Sequence, residues 1–306
     1  MIQKTKLAKA IALAVTGVAL TVGATAANAS ATTMYNTFLT YDPTVSGTNG
    51  LNTSTDGWTR IYDNGTTSPG IATGVESQGN KGTVVPWVGT TGGALPFNYT
   101  GSSSLNWAVS LGAAGDSATV SAADALANYG ATVEIDTGGG AWSDNSTPTT
   151  GWKHQTDIGL ISSAVDQNVT LNLTILGNLL PSTFSEFGVT VFDGMDTNTG
   201  NYSHHGAWNN PAASKPYTAD NPFGTTGLTN IGYSNNVDGL NGYTFTAQAG
   251  HIYSIYLGGV GFSKWNTGID NYALNLTTSA VPLPSAVWLF GTALVGFVGM
   301  RRRKTD

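Results

Sequence analysis

Val169-Thr170-Leu171-Asn172-Leu173-Thr174-Ile175 alternates apolar and polar side chains without a break. A strand projects successive side chains to opposite faces, so this period of two predicts a strand with one buried and one solvated face. Tyr272, Leu274 and Leu276 repeat the alternation. Phe187 to Phe192 and Ile252 to Leu257 are short apolar or aromatic runs, suited to strands covered on both faces. Leu105 to Leu111 and Ala131 to Ile135 are further strand candidates, and Tyr35 to Tyr41 and Trp58 to Tyr62 add shorter ones. Clusters of Asn, Gly, Asp, Ser and Thr separate these segments, as turns require. One short helix is expected over Ser121 to Asn128, with Ser121 as its cap and Asp124 behind it. The pattern therefore predicts an all-β body, a β-sandwich of jelly-roll type with long polar loops. Residues 200–241, with Pro211, Pro216 and Pro222, are expected to form one long excursion between core strands.

The body so defined is residues 30–280, flanked by two segments of different character. The chain has 306 residues, 40 Gly, no Cys and 10% charged residues. Soluble domains usually carry about 25% charged residues. Seven of the 12 Lys and Arg lie at the two ends: Lys4, Lys6, Lys9, Arg301, Arg302, Arg303 and Lys304. Five remain in the body against 17 acidic residues, a net charge near −12. Such a body lacks the basic face that neutralises phosphates, so no nucleic-acid partner is expected. Absence of Cys excludes disulfides, thiolate metal sites and a thiol nucleophile. Residues 1–29 combine three lysines, the apolar stretch Ile11 to Val22 and the small-residue exit Ala27-Asn28-Ala29. This is the pattern of a cleaved secretory signal, helical in its apolar part. Residues 281–306 begin with Val281-Pro282-Leu283-Pro284, continue through the apolar run 285–300 and end on Arg301-Arg302-Arg303-Lys304. The run suits a transmembrane helix whose basic end stays cytoplasmic, leaving the body outside.

Familiar catalytic patterns are missing. The chain contains no Gly-x-Ser-x-Gly elbow and no His-Glu-x-x-His. Asp193 and Asp196 are weighed as glycosidase carboxylates, but Asp in Asn- and Gly-rich turns is common at surfaces. Asp238-Gly239-Leu240-Asn241 is read as a turn rather than a calcium loop. No enzyme is expected. Eight Trp are present; Trp58, Trp87, Trp142, Trp208 and Trp265 could stack on sugars of an exopolysaccharide, although Trp more often fills a β core. The four His stand at 154, 204, 205 and 251. One His from each of Trp152-Lys153-His154 and His204-His205 would suit Cu(I), with Met195 as a possible thioether donor. The alternative is that His154 packs beside Trp152 and that the His pair occupies a loop.

Two resemblances extend this reading. Val281-Pro282-Leu283-Pro284, the stretch Ala286 to Gly291 and the closing Arg run resemble the PEP-CTERM sorting signal of Gram-negative bacteria. That resemblance implies recognition by an exosortase, a transient membrane anchor at 285–300 and delivery to the cell surface or an extracellular matrix. Trp152-x-His154, with His204 fifty residues on, is similar to the surface copper proteins of methane-oxidising bacteria, the CorA/MopE group. The likeness spans about residues 131–210 and includes the words Trp152 to Ile161 and Phe187 to Met195. It implies Cu(I) held by two His and by a Trp oxidised to kynurenine. By that resemblance Trp152 is the oxidised Trp, His154 the first imidazole and His204 the second, with His205 as its substitute. The competing expectation is a structural matrix protein without metal that contacts exopolysaccharide.

Overall fold

A computed structural model describes residues 31–37, 87–101, 105–143, 150–151, 156–178, 184–197, 227–261 and 269–282. Their strands, in chain order, are β1 (Thr32–Asn36), β2 (Trp87–Val88), β3 (Trp107–Leu111), β4 (Ser117–Val120), β5 (Asp136–Ser143), β6 (Thr150–Gly151) and β7 (Asp157–Ser163). The series continues with β8 (Gln167–Asn178), β9 (Phe187–Asp193), β10 (Thr229–Val237), β11 (Tyr243–Ala247), β12 (Ile252–Gly261) and β13 (Ile269–Ala280). A single α-helix among the described residues, α1 (Ala122–Tyr129), follows β4. The strands hydrogen-bond along one path, β11-β8-β13-β5-β12-β7-β3-β1-β2. Beside that path β4 joins β13, β6 joins β5, and β9 joins β12 while carrying β10 on its other edge. The sheet is mixed: β3 with β7 and β5 with β12 run parallel, and the other pairs are antiparallel.

The path divides into two arms joined through β5. The outer arm is β11-β8-β13-β4. Here Val169, Leu171 and Leu173 of β8 and Leu274 and Leu276 of β13 all point inward and are buried. Between them Asn168, Thr170, Asn172 and Thr174 face outward, aligned with Ser279, Thr277, Asn275 and Ala273 of β13. Thr170 and Thr244 share a hydroxyl hydrogen bond of 2.8 Å across β8 and β11, and Thr246 donates to Asn168 at 2.9 Å. The alternation quoted at the outset is thus the register of this arm, since a shift of one residue would turn every leucine to water.

The central arm contains β1, β3, β7, β12, β9 and β10. Most of its strands lack alternating burial, because both faces are covered. Trp107, Val109, Ile161, Val189, Ile255 and Leu257 pack into one core with the leucines of β8 and β13. On the opposite face Ala108, Ile158, Leu160, Phe192 and Tyr256 form a second core with Trp87, Tyr99, Leu105, Trp142 and Leu228. Two glycines make room for indoles: a Cβ on Gly159 would run into the Trp107 ring, and one on Gly188 into the Trp142 ring.

The expected helix forms as read. Ser121 accepts a hydrogen bond from the Asp124 N–H at 3.1 Å, and Gly130 closes the helix in the left-handed region. The Asp124 carboxylate then accepts from the Tyr35 and Thr33 hydroxyls at 2.7 and 2.8 Å, fastening α1 to β1. Burial, with Asp124 beside it, pushes the Tyr35 phenol well above its ordinary pKa. Two expectations are corrected. Residues 131–135 are not a strand; Val133 and Ile135 fill the first core, and the Ile135 carbonyl accepts from the Tyr272 N–H. The strand starts instead at Asp136, in a Gly-rich stretch with no periodic signal. The excursion 200–241 is not one loop either, since Thr229–Val237 pairs with β9. Its half-exposed pattern and Asn content hid it from the alternation test. Trp58 to Tyr62 lies outside the described residues.

Candidate functional site

The residues proposed for copper, Trp152, His154, His204 and His205, lie outside the described residues, but their flanks are placed. Trp152 follows β6, whose Gly151 pairs with Trp142. Four residues later the buried Thr156 leads into Asp157, opposite Leu257 of β12. The segment holding His204 and His205 departs after Thr197, close behind Asp193, which lies opposite Tyr253 of β12. It returns to Thr229, opposite the same Asp193. One flank therefore lies at the middle of β12 and the other near its start. Leu257 and Tyr253 are four positions apart, roughly 13 Å of extended strand. Met195 is partly buried against the second core, at the Tyr253 end.

The fourth histidine occupies that same end. His251 Nδ1 lies 3.0 Å from one Asp193 carboxylate oxygen and 3.1 Å from the other. Its ring stacks on Tyr253 with centroids 6.3 Å apart. This contact gives Asp193, the last residue of β9, a partner just before β12. Asp196 is buried, at 2% exposure, and not in a surface turn. Among the described residues no three His, Cys, Asp or Glu side chains are grouped as a metal site. Asp238 forms the expected turn. Its carboxylate accepts from the Leu240 and Asn241 N–H groups, both at 2.6 Å, and from the Asn241 amide at 3.0 Å. These bonds hold its pKa below the usual carboxylate value.

The structure adds a polar chain that the sequence did not announce. The Trp107 indole N–H donates to the Tyr272 hydroxyl at 2.9 Å, and that hydroxyl donates to Asp157 Oδ2 at 2.7 Å. All three side chains are fully buried. Burial and the Asp157 carboxylate push the Tyr272 phenol far above its ordinary pKa. It links β3, β7 and β13, whose residues are 165 apart at the extreme, so no local motif could reveal it. Of the Trp weighed for sugar stacking, Trp87 and Trp142 are buried at 4% and 0% exposure. They belong to the second core and offer no face to solvent. Trp58, Trp208 and Trp265 lie outside the described residues.

β13 ends at Ala280, paired with Gln167 of β8, and Val281 and Pro282 follow it outside the strand. Residues 280–304 match the PEP-CTERM protein-sorting motif. That range holds Val281, Pro282, Leu283 and Pro284 and the arginines Arg301, Arg302 and Arg303. The PEP-CTERM tail marks the chain for export and exosortase processing, with a membrane-anchored stage before processing and a surface or extracellular fate. No helix among the described residues is long and apolar enough to cross a membrane, and the apolar run 285–300 lies outside them. No curated protein sequence matches the chain. A solved structure of CorA, a surface-associated copper-binding protein important in copper acquisition by Methylomicrobium album BG8, is similar with a TM-score of 0.30. It is 12% identical, over 53% of this chain and 92% of that one, a likeness too loose to bear on the site.

Proposed function

We propose that this exported protein works by binding rather than by catalysis, and that its β body is a two-layer sandwich holding Cu(I) through His154 and one of His204 or His205, with Trp152 beside the metal. The sandwich reading rests on the shared core, in which side chains of the outer arm and of the central arm meet across one interior. The observation that carries the display role is the PEP-CTERM tail, which starts at the last residue of β13 and so hangs the finished body from the membrane by its own sheet. The copper reading is supported by chemistry: imidazole suits copper, and the Cys-free chain leaves few other soft donors. Trp152 and His154 belong to a four-residue link between Gly151, paired with Trp142, and the buried Thr156, which leads into Asp157 opposite Leu257 of β12. His204 must then be delivered from the Tyr253 end. It stands seven positions after Thr197, a reach of up to about 25 Å, longer than the roughly 13 Å between Tyr253 and Leu257.

Titration of the exported protein with Cu(I) against a colorimetric chelator tests the reading. One tight equivalent is expected, lost in His154→Ala and in the double change His204→Ala, His205→Ala. Intact mass then reports whether one Trp is oxidised. Unchanged affinity in the triple His variant would overturn the ligand assignment, and no tight equivalent in the parent would leave the protein as a metal-free member of the surface matrix.

A further inference from the structure

We infer that the cavity between the β1–β3 edge and the turn-rich segment 89–98 is a binding site for a neutral sugar ring. It is an open cleft of about 400 Å³. Sites for small molecules span roughly 300–1,000 Å³. Thr32 of β1 and Ser110 of β3 line its floor, and Thr90, Leu95, Phe97 and Asn98 line its wall.

Three independent observations point to a ligand. The first is conformational. Phe97 and Asn98 have φ of 54° and 58°, and among the described residues they are the only non-glycine residues at positive φ. Asn tolerates this region, but a bulky residue such as Phe is an outlier there. Its place is enforced by Pro96 before it and by the Tyr99 N–H, which donates to the Pro96 carbonyl at 3.0 Å. Both Pro96 and Tyr99 are buried and act as anchors. Strained backbone of this kind collects at ligand sites, where the surrounding structure holds it. The second observation is polar. The Thr90 Oγ1 is buried and has no hydrogen-bond partner. Buried hydroxyls are almost always satisfied, and rotation about χ1 of Thr90, a lining residue, would turn this one into the cavity, where a ligand hydroxyl can pair with it. The third is the lining as a whole. It contains hydroxyls, an amide and apolar groups, and no charged side chain. A phosphate or carboxylate would find no counter-charge among these lining residues. A pyranose has what the lining asks for: hydroxyls for Thr90, Ser110 and Asn98, and an apolar C–H face for Phe97 and Leu95.

The site is separate from the copper proposal and shares no residue with it, so either can fail alone. It gives the exopolysaccharide expectation a definite place, one that the buried Trp87 and Trp142 cannot provide. Saturation-transfer NMR on the exported protein, with glucose, galactose, mannose and N-acetylglucosamine, tests it, with glucuronic acid as the charged control. Transfer to at least one neutral sugar, and none to glucuronic acid, is the expected result. Thr90→Val keeps the shape and removes the orphan hydroxyl; Phe97→Gly relieves the positive φ. Thr90→Val is expected to melt at the same or a higher temperature than the parent, Phe97→Gly at a lower one because the packing of the ring against the second core is lost, and each to bind at least about tenfold more weakly. The opposed signs in Thr90→Val separate a ligand site from a merely structural hydroxyl, whose removal would leave sugar binding untouched. No transfer to any neutral sugar, a preference for glucuronic acid, or unchanged affinity in both variants would overturn the proposal.

Discussion

β8 and β12 are both long strands inside one sheet, yet they obey different rules. Along β8 every second side chain is buried, from Gln167 to Leu173; along β12 the seven residues Tyr253 to Gly259 are all buried. The difference lies in what covers the second face. Outside β8 the described residues place no second core, and Thr and Asn suffice. Outside β12 lies the second core, built by Trp87, Tyr99 and Trp142 from segments distant in sequence. A strand with one neighbouring layer writes its register into the sequence as alternation. One with two layers writes only that it is buried. The central arm must therefore be held by side-chain fit rather than by patterning, and substitutions should show it.

The sharpest contrast is between Trp107 and Thr170. Trp107 lies across Gly159 in the first core and is fully buried. Trp107→Ala removes that contact, leaves a cavity and breaks the bond to Tyr272, at a cost of about 3–5 kcal/mol. Thr170→Ala on the outward face removes one exposed hydroxyl contact with Thr244, and its effect should stay within about 0.5 kcal/mol. Urea unfolding of the two variants measures both. Near-equal losses would break the distinction between the arms. A further check uses Gly159→Ala, whose new Cβ meets the Trp107 indole; about 1–3 kcal/mol is expected from overpacking.

The same contrast explains how much was legible. The strands of the outer arm, the capped helix with Ser121 and Gly130, the Asp238 turn and the sorting tail each rest on neighbours in sequence. Each appears in the structure, or in the motif match, at or near the residues expected. What escaped depends on distant partners. β5 is a strand because β13 and β12 offer it edges, while its own Gly138 and Gly139 carry no pattern. Val133 and Ile135 looked like a strand because they are apolar, but a core can take side chains from irregular backbone. Trp87 and Trp142 were open to a sugar-stacking role because exposure depends on what folds over them. The Phe97 turn and its cavity had no sequence signal beyond a lone Pro and two Gly.

A second test falls on the junction of the two arms, where Tyr272 of the outer arm bonds Trp107 and Asp157 of the central one. Tyr272→Phe removes the hydroxyl that joins them, and about 1–3 kcal/mol should be lost at neutral pH. The pH dependence carries a sign. The folded-state pKa of Tyr272 is raised, so its contribution is complete below the unfolded value near 10 and falls as pH rises through the folded one. Parent and variant stabilities should therefore differ most at neutral pH and converge in strong alkali. Ultraviolet titration gives an independent reading: Tyr272 should stay protonated until the protein unfolds. Ionisation of every tyrosine in the still-folded protein would show that this junction is open to water.

The smallest effect belongs to a turn that depends on neither arm's core. Asp238 is half-exposed, and its carboxylate is held below its usual pKa by the Asn241 and Leu240 N–H groups, the larger contribution coming from Asn241. Asp238→Ala should lower the melting temperature slightly at pH 7, because those two N–H groups then turn to water. For a carboxylate with a depressed folded pKa, the stabilisation is present above the unfolded value of about 3.9 and disappears as pH falls through the folded one. The melting difference between parent and Asp238→Ala should accordingly hold from pH 7 to about 5 and close under more acidic conditions. Asp238→Asn is expected to sit between the two, since an amide oxygen caps the same turn without the charge. A gap that stayed constant into acid would mean that the turn is held by the backbone bond from the Asp238 N–H to the Asn241 carbonyl, at 3.0 Å, and not by the carboxylate.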